Sequence, residues 1–174
     1  MSAIDDKYNQ LGGPSGWLGA PFDAGAGSAE GPSGNGGRER DFVNGTIVWT
    51  QQTGAHEVHG NIRLKWAQLG GSRGFLGFPV TDVTGTPDGV GRYNHFQGGS
   101  IYWTPQTGAH EVHGGIREKW ASLGWERSSL RYPMSDEQAS NVPGGRLSQF
   151  QGGSIYWTPN GATEVRPSTK IDDN

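Results

Sequence analysis

The sequence contains no cysteine. Disulfides and thiolate metal sites are therefore excluded, although the redox compartment stays undetermined, because a secreted chain can also do without cysteine. No apolar run approaches membrane-spanning length. Clusters of Lys and Arg are missing too, and the formal net charge is -3. That argues against a nucleic-acid partner, since phosphate binding needs concentrated positive charge. Hydrophobic types make up only 32% of the chain, so aromatic rings must supply much of any buried area. The amino terminus, MSAIDDKYNQ, has no basic segment followed by an apolar core, and no signal peptide is read there. Cytoplasmic residence, leaderless export and a trimmed secreted chain all stay open.

What the chain does have is glycine and repetition. Gly 31 and Pro 10 in 174 residues make roughly a quarter of the sequence, well above ordinary usage. Disorder is argued against by Trp 7, Tyr 5 and Phe 6, rings that a disordered chain would not carry. The string FQGGSIYWTP starts at Phe96 and again at Phe150, and QTGAHEVHG starts at Gln52 and Gln106. Trp49, Trp103 and Trp157 recur every 54 residues, as do Phe42, Phe96 and Phe150. Three units follow, approximately 4–60, 61–114 and 115–167, within one domain, 1–174, that ends in a short tail, 168–174. The first unit carries an insertion within DAGAGSAEGPSGNGG.

Each unit predicts a short helix followed by a β-meander. Ile116, Trp120 and Leu123 share one helical face, as do Ile62, Trp66 and Leu69, and more weakly Ile4, Tyr8 and Leu11. In the meander, Gly98-Gly99 reads as a two-residue hairpin turn tolerant of positive φ, written Asn44-Gly45 in the first copy. That register puts Phe96, Ile101 and Trp103 on a buried side, with Phe42, Ile47, Trp49 and Phe150, Ile155, Trp157 as counterparts. Val112, on the following strand, is expected to join them. A unit this small cannot bury its apolar side alone, so stacking three builds a shared core.

The words around Leu76-Gly77-Phe78-Pro79 are more specific. LGGSRGFLGFPVTD, preceded by IRLKWAQLG and followed by FQGGSIYWTPQTGAHEVHG, resembles the LGFP repeat family over essentially the whole chain. The signature drifts to Leu18-Gly19-Ala20-Pro21 and Leu130-Arg131-Tyr132-Pro133 in the other copies. Such repeats are similar to modules beside cell-wall enzymes of mycolic-acid bacteria and to stand-alone fungal chains. The resemblance implies attachment to cell-wall or other polysaccharide and a propeller-like or pseudo-threefold packing of repeats. It supplies no catalytic residues.

Candidate chemistry is sparse. His56-Glu57-Val58-His59 and His110-Glu111-Val112-His113 fall one residue short of a zinc motif, and an odd separation sends a strand's histidines to opposite faces. No metal site and no cofactor is expected. Glu57, Glu111 and Glu164 recur without a second carboxylate at fixed spacing, as glycoside hydrolysis requires. No nucleophile elbow or phosphate loop is present, so the chain is read as no enzyme. Arg73 and Arg127 each precede an aspartate, Asp82 and Asp136, by nine residues. The first copy replaces both members together, with Ser15 and Ala24, which suggests an ion-pair clamp across the LGFP turn.

The opposite side of the meander is the candidate ligand surface. Tyr93, His95 and Tyr102 are expected to point outward, together with Glu111 and His113 of the next strand. Glu57 and His59 are the first-copy equivalents, Gln149 and Tyr156 belong to the third, and Trp17 and Trp125 are candidate stacking platforms. Rings that cover sugar C–H faces beside groups that bond hydroxyls suit carbohydrate. The same residues equally suit contact with the next repeat's helix. The expected function is lectin-like, multivalent binding of a cell-wall or cell-surface glycan, without nucleic acid or membrane insertion, and with homo-oligomerisation left open. Two intact TGAHEVHG segments predict two good sites and one degraded one. The alternatives are a structural adhesion or protein-binding module, and a cell-wall polysaccharide hydrolase.

Overall fold

A computed structural model describes residues 2–22 and 30–168. Three helices, α1 (Ala3–Gln10), α2 (Gly60–Gln68) and α3 (Gly114–Leu123), each precede a meander. The first meander is β1 (Gly31–Pro32), β2 (Arg38–Phe42), β3 (Gly45–Thr50) and β4 (Gly54–Val58). The second is β5 (Thr84–Gly85), β6 (Arg92–Phe96), β7 (Gly99–Thr104) and β8 (Gly108–Val112). The third is β9 (Gln138–Ala139), β10 (Arg146–Phe150), β11 (Gly153–Trp157) and β12 (Thr163–Pro167). Each forms a four-stranded sheet in sequence order. The fold is thus mainly β with short helices, three repeats of one plan. Much of the insertion in the first unit, Ala24 included, lies outside the described residues.

By compactness the chain divides into two units: Met1–Thr84 with Asn94–Gly98, and Gly85–Tyr93 with Gly99–Asn174. The division runs through the second repeat.

The helices are set by local chemistry. Ser2 caps α1, its hydroxyl accepting the Asp5 amide at 3.0 Å, a contact of the kind whose loss costs about 1 kcal/mol. A left-handed glycine follows each helix: Gly12 (φ 108), Gly70 (φ 104) and Gly124 (φ 110). Ile4 and Tyr8, Ile62 and Trp66, Ile116 and Trp120 are buried at i, i+4. Leu123, expected on that stripe, is exposed, because it is the last residue of α3.

The hairpin turns sit one residue earlier than the sequence suggests. Phe42 pairs with Gly45 and Phe150 with Gly153, so the turns are Val43–Asn44 and Gln151–Gly152, and neither pair takes positive φ. The glycine serves a close approach instead. A Cβ on Gly98 would collide with the Phe75 carbonyl, and one on Gly152 with that of Ser129. The backbone amides of Gly98 and Gly152 donate to Leu76 and Leu130 at 2.8 and 3.0 Å. Asn44 makes the equivalent bond to Leu18 and adds a side-chain bond to the Trp17 carbonyl at 2.7 Å.

Both faces of the first two sheets are occupied. On one face Phe42 and Ile47 pack with Ile4, Tyr8 and Leu18 of their own repeat. On the other, Val48 and Val58 are fully buried, and α2 sends Arg63 Nε to Thr46 Oγ1 at 2.6 Å. The second unit repeats this arrangement: Tyr102 and Val112 share a cluster with Ile116 and Trp120, which also holds Phe150 and Ile155. A helix therefore seals the preceding sheet as well as its own.

The LGFP words are the seam. Leu76 and Phe78 are buried, and the Phe78 ring lies against Gly37, at the entry to β2 of the repeat before it. Tyr132 does the same in the second unit, packing on Gly91 and bonding Thr86 and Asp88 through its hydroxyl, each at 2.8 Å. Phe78 and Tyr132, at the same position of the word, each plug the join to the repeat before.

Candidate functional site

The carboxylates and histidines proved to be fasteners. Glu57 is buried; one oxygen lies 2.6 Å from His59 Nδ1 and the other accepts the Val83 amide at 2.9 Å. Asp82 accepts the Glu57 amide at 3.2 Å and lies 3.0 Å from His56 Nδ1 and 2.5 Å from Lys7 Nζ. Burial works to raise the Asp82 carboxyl, but the bonds from His56 and Lys7 pull it below its ordinary value. The second unit copies the pattern. Glu111 lies 2.7 Å from His113 and accepts the Glu137 amide at 2.9 Å, while Asp136 faces His110 at 3.2 Å. The clamp expected between Arg73 and Asp82 is thus replaced by Lys7 and His56, and Arg73 is exposed. His110 serves Asp136 at the same place in the second unit. Among the described residues no group of three or more His, Asp or Glu side chains is arranged to hold a metal ion.

Strand register explains why Glu57 and Glu111 are hidden. Thr104 pairs with Gly108, so three residues close the hairpin, pinned by Thr107 bonding back to Thr104. That odd loop pairs Ile101 with Glu111 and Tyr102 with His110. Glu111 therefore shares the Ile101 face and Val112 the Tyr102 face, the reverse of the expectation.

The aromatic candidates gather, but largely as packing. Tyr102, expected outside, is 3% exposed. It stacks on Tyr93 at 5.1 Å and meets Trp120 edge-on at 4.7 Å and Trp125 at 5.9 Å. Burial pushes its hydroxyl pKa well up. Trp125 adopts φ 58, a left-handed conformation unusual for a bulky residue, with Arg117 lying 5.0 Å over its ring. Tyr93 and Trp125 stay half-buried. His95 is half-buried, its amide bonded to Thr81 at 3.0 Å. Trp17 is 45% exposed and sits edge-on to His59 at 4.6 Å.

The third meander is different. PNGATEVRP is one residue shorter than PQTGAHEVHG, yet the pairing runs on in step, joining Ile155 to Val165 and Tyr156 to Glu164. The deletion turns β12 over: Val165 joins the core and Glu164 and Arg166 come out beside Tyr156. Among the described residues no helix follows to cover them. A depression of about 470 Å³ results, lined by Tyr156, Gln149, Gln151, Ser154, Arg166 and Met134 among others. Arg166 lies 4.2 Å over the Tyr156 ring and bonds Glu164 at 3.2 Å, which holds that carboxyl below its ordinary value. The structure thus unites Tyr156 with Gln149 and adds Arg166 and Glu164, which the sequence reading missed. The one-residue shortening was the signal that could have revealed them.

A family model for the LGFP repeat matches three times, over residues 18–74, 76–128 and 130–171. No curated protein matches the chain.

Proposed function

The chain belongs to the LGFP repeat family, whose repeats are cell-wall-associated modules, and from that premise we propose that it binds wall or cell-surface polysaccharide without altering it. The observation that carries this reading is the outer face of the third sheet, where Glu164 and Arg166 are exposed and Tyr156 half-buried among the described residues. Two sheets spend that face on the next helix; the third presents a ring, a guanidinium, two amides and a serine around one shallow depression. A saccharide can lay its C–H face on the flat Tyr156–Arg166 stack while Gln149, Gln151 and Ser154 exchange hydrogen bonds with its hydroxyls. The expectation of good sites at the two TGAHEVHG segments gives way, because their glutamates are buried fasteners. Binding on the outer sheet face is thereby assigned to the third repeat.

A non-catalytic role follows the same logic: Glu57 and Glu111 are spent on backbone amides and histidines, and Glu164 on Arg166. The test is a glycan array with the purified chain, followed by titration of the best polysaccharide. Tyr156→Ala should weaken binding about tenfold, corresponding to about 1.4 kcal/mol, with the circular dichroism unchanged. An unchanged affinity in that variant would remove the site. A blank array would favour a protein partner, for which the exposed Phe22 and Phe75 rings are the supporting feature.

A further inference from the structure

The first unit contains a second concavity whose counterpart in the second unit is filled. It lies between the outer face of β2 and the carboxyl end of α2, holds about 240 Å³, and is lined by Glu39, Asp41, Thr46, Arg63, Trp66 and the Gly70–Arg73 turn among others. One repeat later the positions of Glu39, Val48 and Gly71 carry Tyr93, Tyr102 and Trp125, the three rings stacked together there. Gly71 and Trp125 share one backbone conformation, φ 60 and φ 58. A Cβ on Gly71 would meet nothing within 4 Å. The cleft therefore owes its opening to side-chain choice on an unchanged backbone.

We propose that this cleft binds one neutral pyranose ring, a terminal or branching unit of a polysaccharide. The ligand class rests on the carbohydrate reading above; the place is separate from the third sheet. Size comes first: the volume is below the roughly 300–1,000 Å³ of clefts that hold drug-sized ligands, so a single ring is admitted and an oligosaccharide is not. Chemistry comes second. Asp41 and Glu39, two residues apart on β2, point to the same side of the sheet. Each is anchored through one oxygen, Asp41 by the Thr46 hydroxyl and Glu39 by that of Ser33, both at 2.8 Å. The second oxygen of each is left to accept a ligand hydroxyl. Opposite stand Arg63, 3.6 Å from Asp41, and the exposed Arg73. Two carboxylates balanced by two guanidinium groups suit neighbouring hydroxyls that donate to one side and accept from the other, and give no net preference for a charged sugar.

The probes are the methyl glycosides of glucose, galactose and mannose, with glucosamine and glucuronate as charged comparisons, followed by ligand-observed NMR and calorimetry on the full chain. At least one neutral glycoside should bind saturably at millimolar concentration, more tightly than either charged sugar. Gly71→Trp, which copies the chain's own Trp125, should lower that affinity at least tenfold, and Asp41→Asn several-fold. Should Gly71→Trp fail to fold, Asp41→Asn and Glu39→Gln carry the test. Unchanged binding in the cleft variants overturns the proposal, as does tighter binding of a charged sugar. If no glycoside binds while polysaccharide binding persists and depends on Tyr156, the cleft assignment falls and the wider reading stands. If polysaccharide binding is missing as well, both fall.

Discussion

His113 Nδ1 lies 2.7 Å from the buried Glu111 carboxylate, and its Nε2 is 3.4 Å from Glu137, which also pairs with Arg146 at 2.9 Å. The hydrogen bond to Glu111 raises the imidazole pKa above 6.5; burial and Arg146 oppose it, and the charges of Glu111 and Glu137 support it. A raised folded value means that the stability it contributes is complete below the unfolded pKa and is lost as pH rises through the folded one. The parent should thus lose stability as pH rises above about 6.5, and His113→Gln should flatten that slope. Urea midpoints across the range check it; parallel profiles for the two proteins would refute the coupling. Tyr132 offers a second residue-scale test. Its hydroxyl meets Thr86 and Asp88, whereas the homologous Phe78 has no hydroxyl, and Pro32 and Gly34 stand in the first repeat at the positions of Thr86 and Asp88. Tyr132→Phe should cost about 1 kcal/mol, the net worth of an ordinary hydrogen bond, read as a shift in denaturation midpoint. These side chains were easy to name from sequence and hard to assign. A His-Glu-His word looks the same whether it grips a ligand or a backbone amide 26 residues further on.

For the strands, what decides the role of each side chain is the number of residues in the last hairpin loop. Alternation along β7 was legible, and so was the burial of Phe96 and Ile101, because period two leaves little freedom. The face of β8 was not, since it depends on the parity of a loop whose closing pair, Thr104 and Gly108, no pattern in the strand itself reveals. The same arithmetic, run in reverse by the shortened third loop, exposes Glu164 and Arg166. Inserting one residue between Asn160 and Gly161 should restore the parity of the first two repeats. Val165 would leave the cluster that includes Phe150 and Ile155 and Glu164 would enter it. Losing a half-buried valine and burying an unpaired carboxylate should together destabilise the chain by about 3 kcal/mol or more. An unchanged midpoint with retained polysaccharide binding would show that β12 does not hold this register.

Across the whole chain, the repeat and the unit of stability are not the same object. The sequence period divides at residues 60 and 114, yet the side chains that complete the first two sheets come from the next repeat: Arg63 and Asp82 in the first unit, Trp120 and Tyr132 in the second. Repetition was plain from the spacing of tryptophans, but identical words hid the fact that one copy's outer face is another copy's core. A chain ending at residue 114 should therefore be worse than two-thirds of a protein. It would retain all of β5 to β8 but bare Tyr102 and Val112, both at 3% exposure or less in the intact chain. Uncovering two such side chains forfeits about 4 kcal/mol, a large part of the roughly 5–15 kcal/mol by which a domain is stable. The truncated chain should bind a hydrophobic dye and melt early and broadly. The converse chain, cut at residue 60, should suffer likewise, because Val48 and Val58 lose α2. If the chain ending at 114 instead melts as sharply and as high as the full protein, the outer face of the second sheet does not need its helix. The open face of the third would then have no claim to be special.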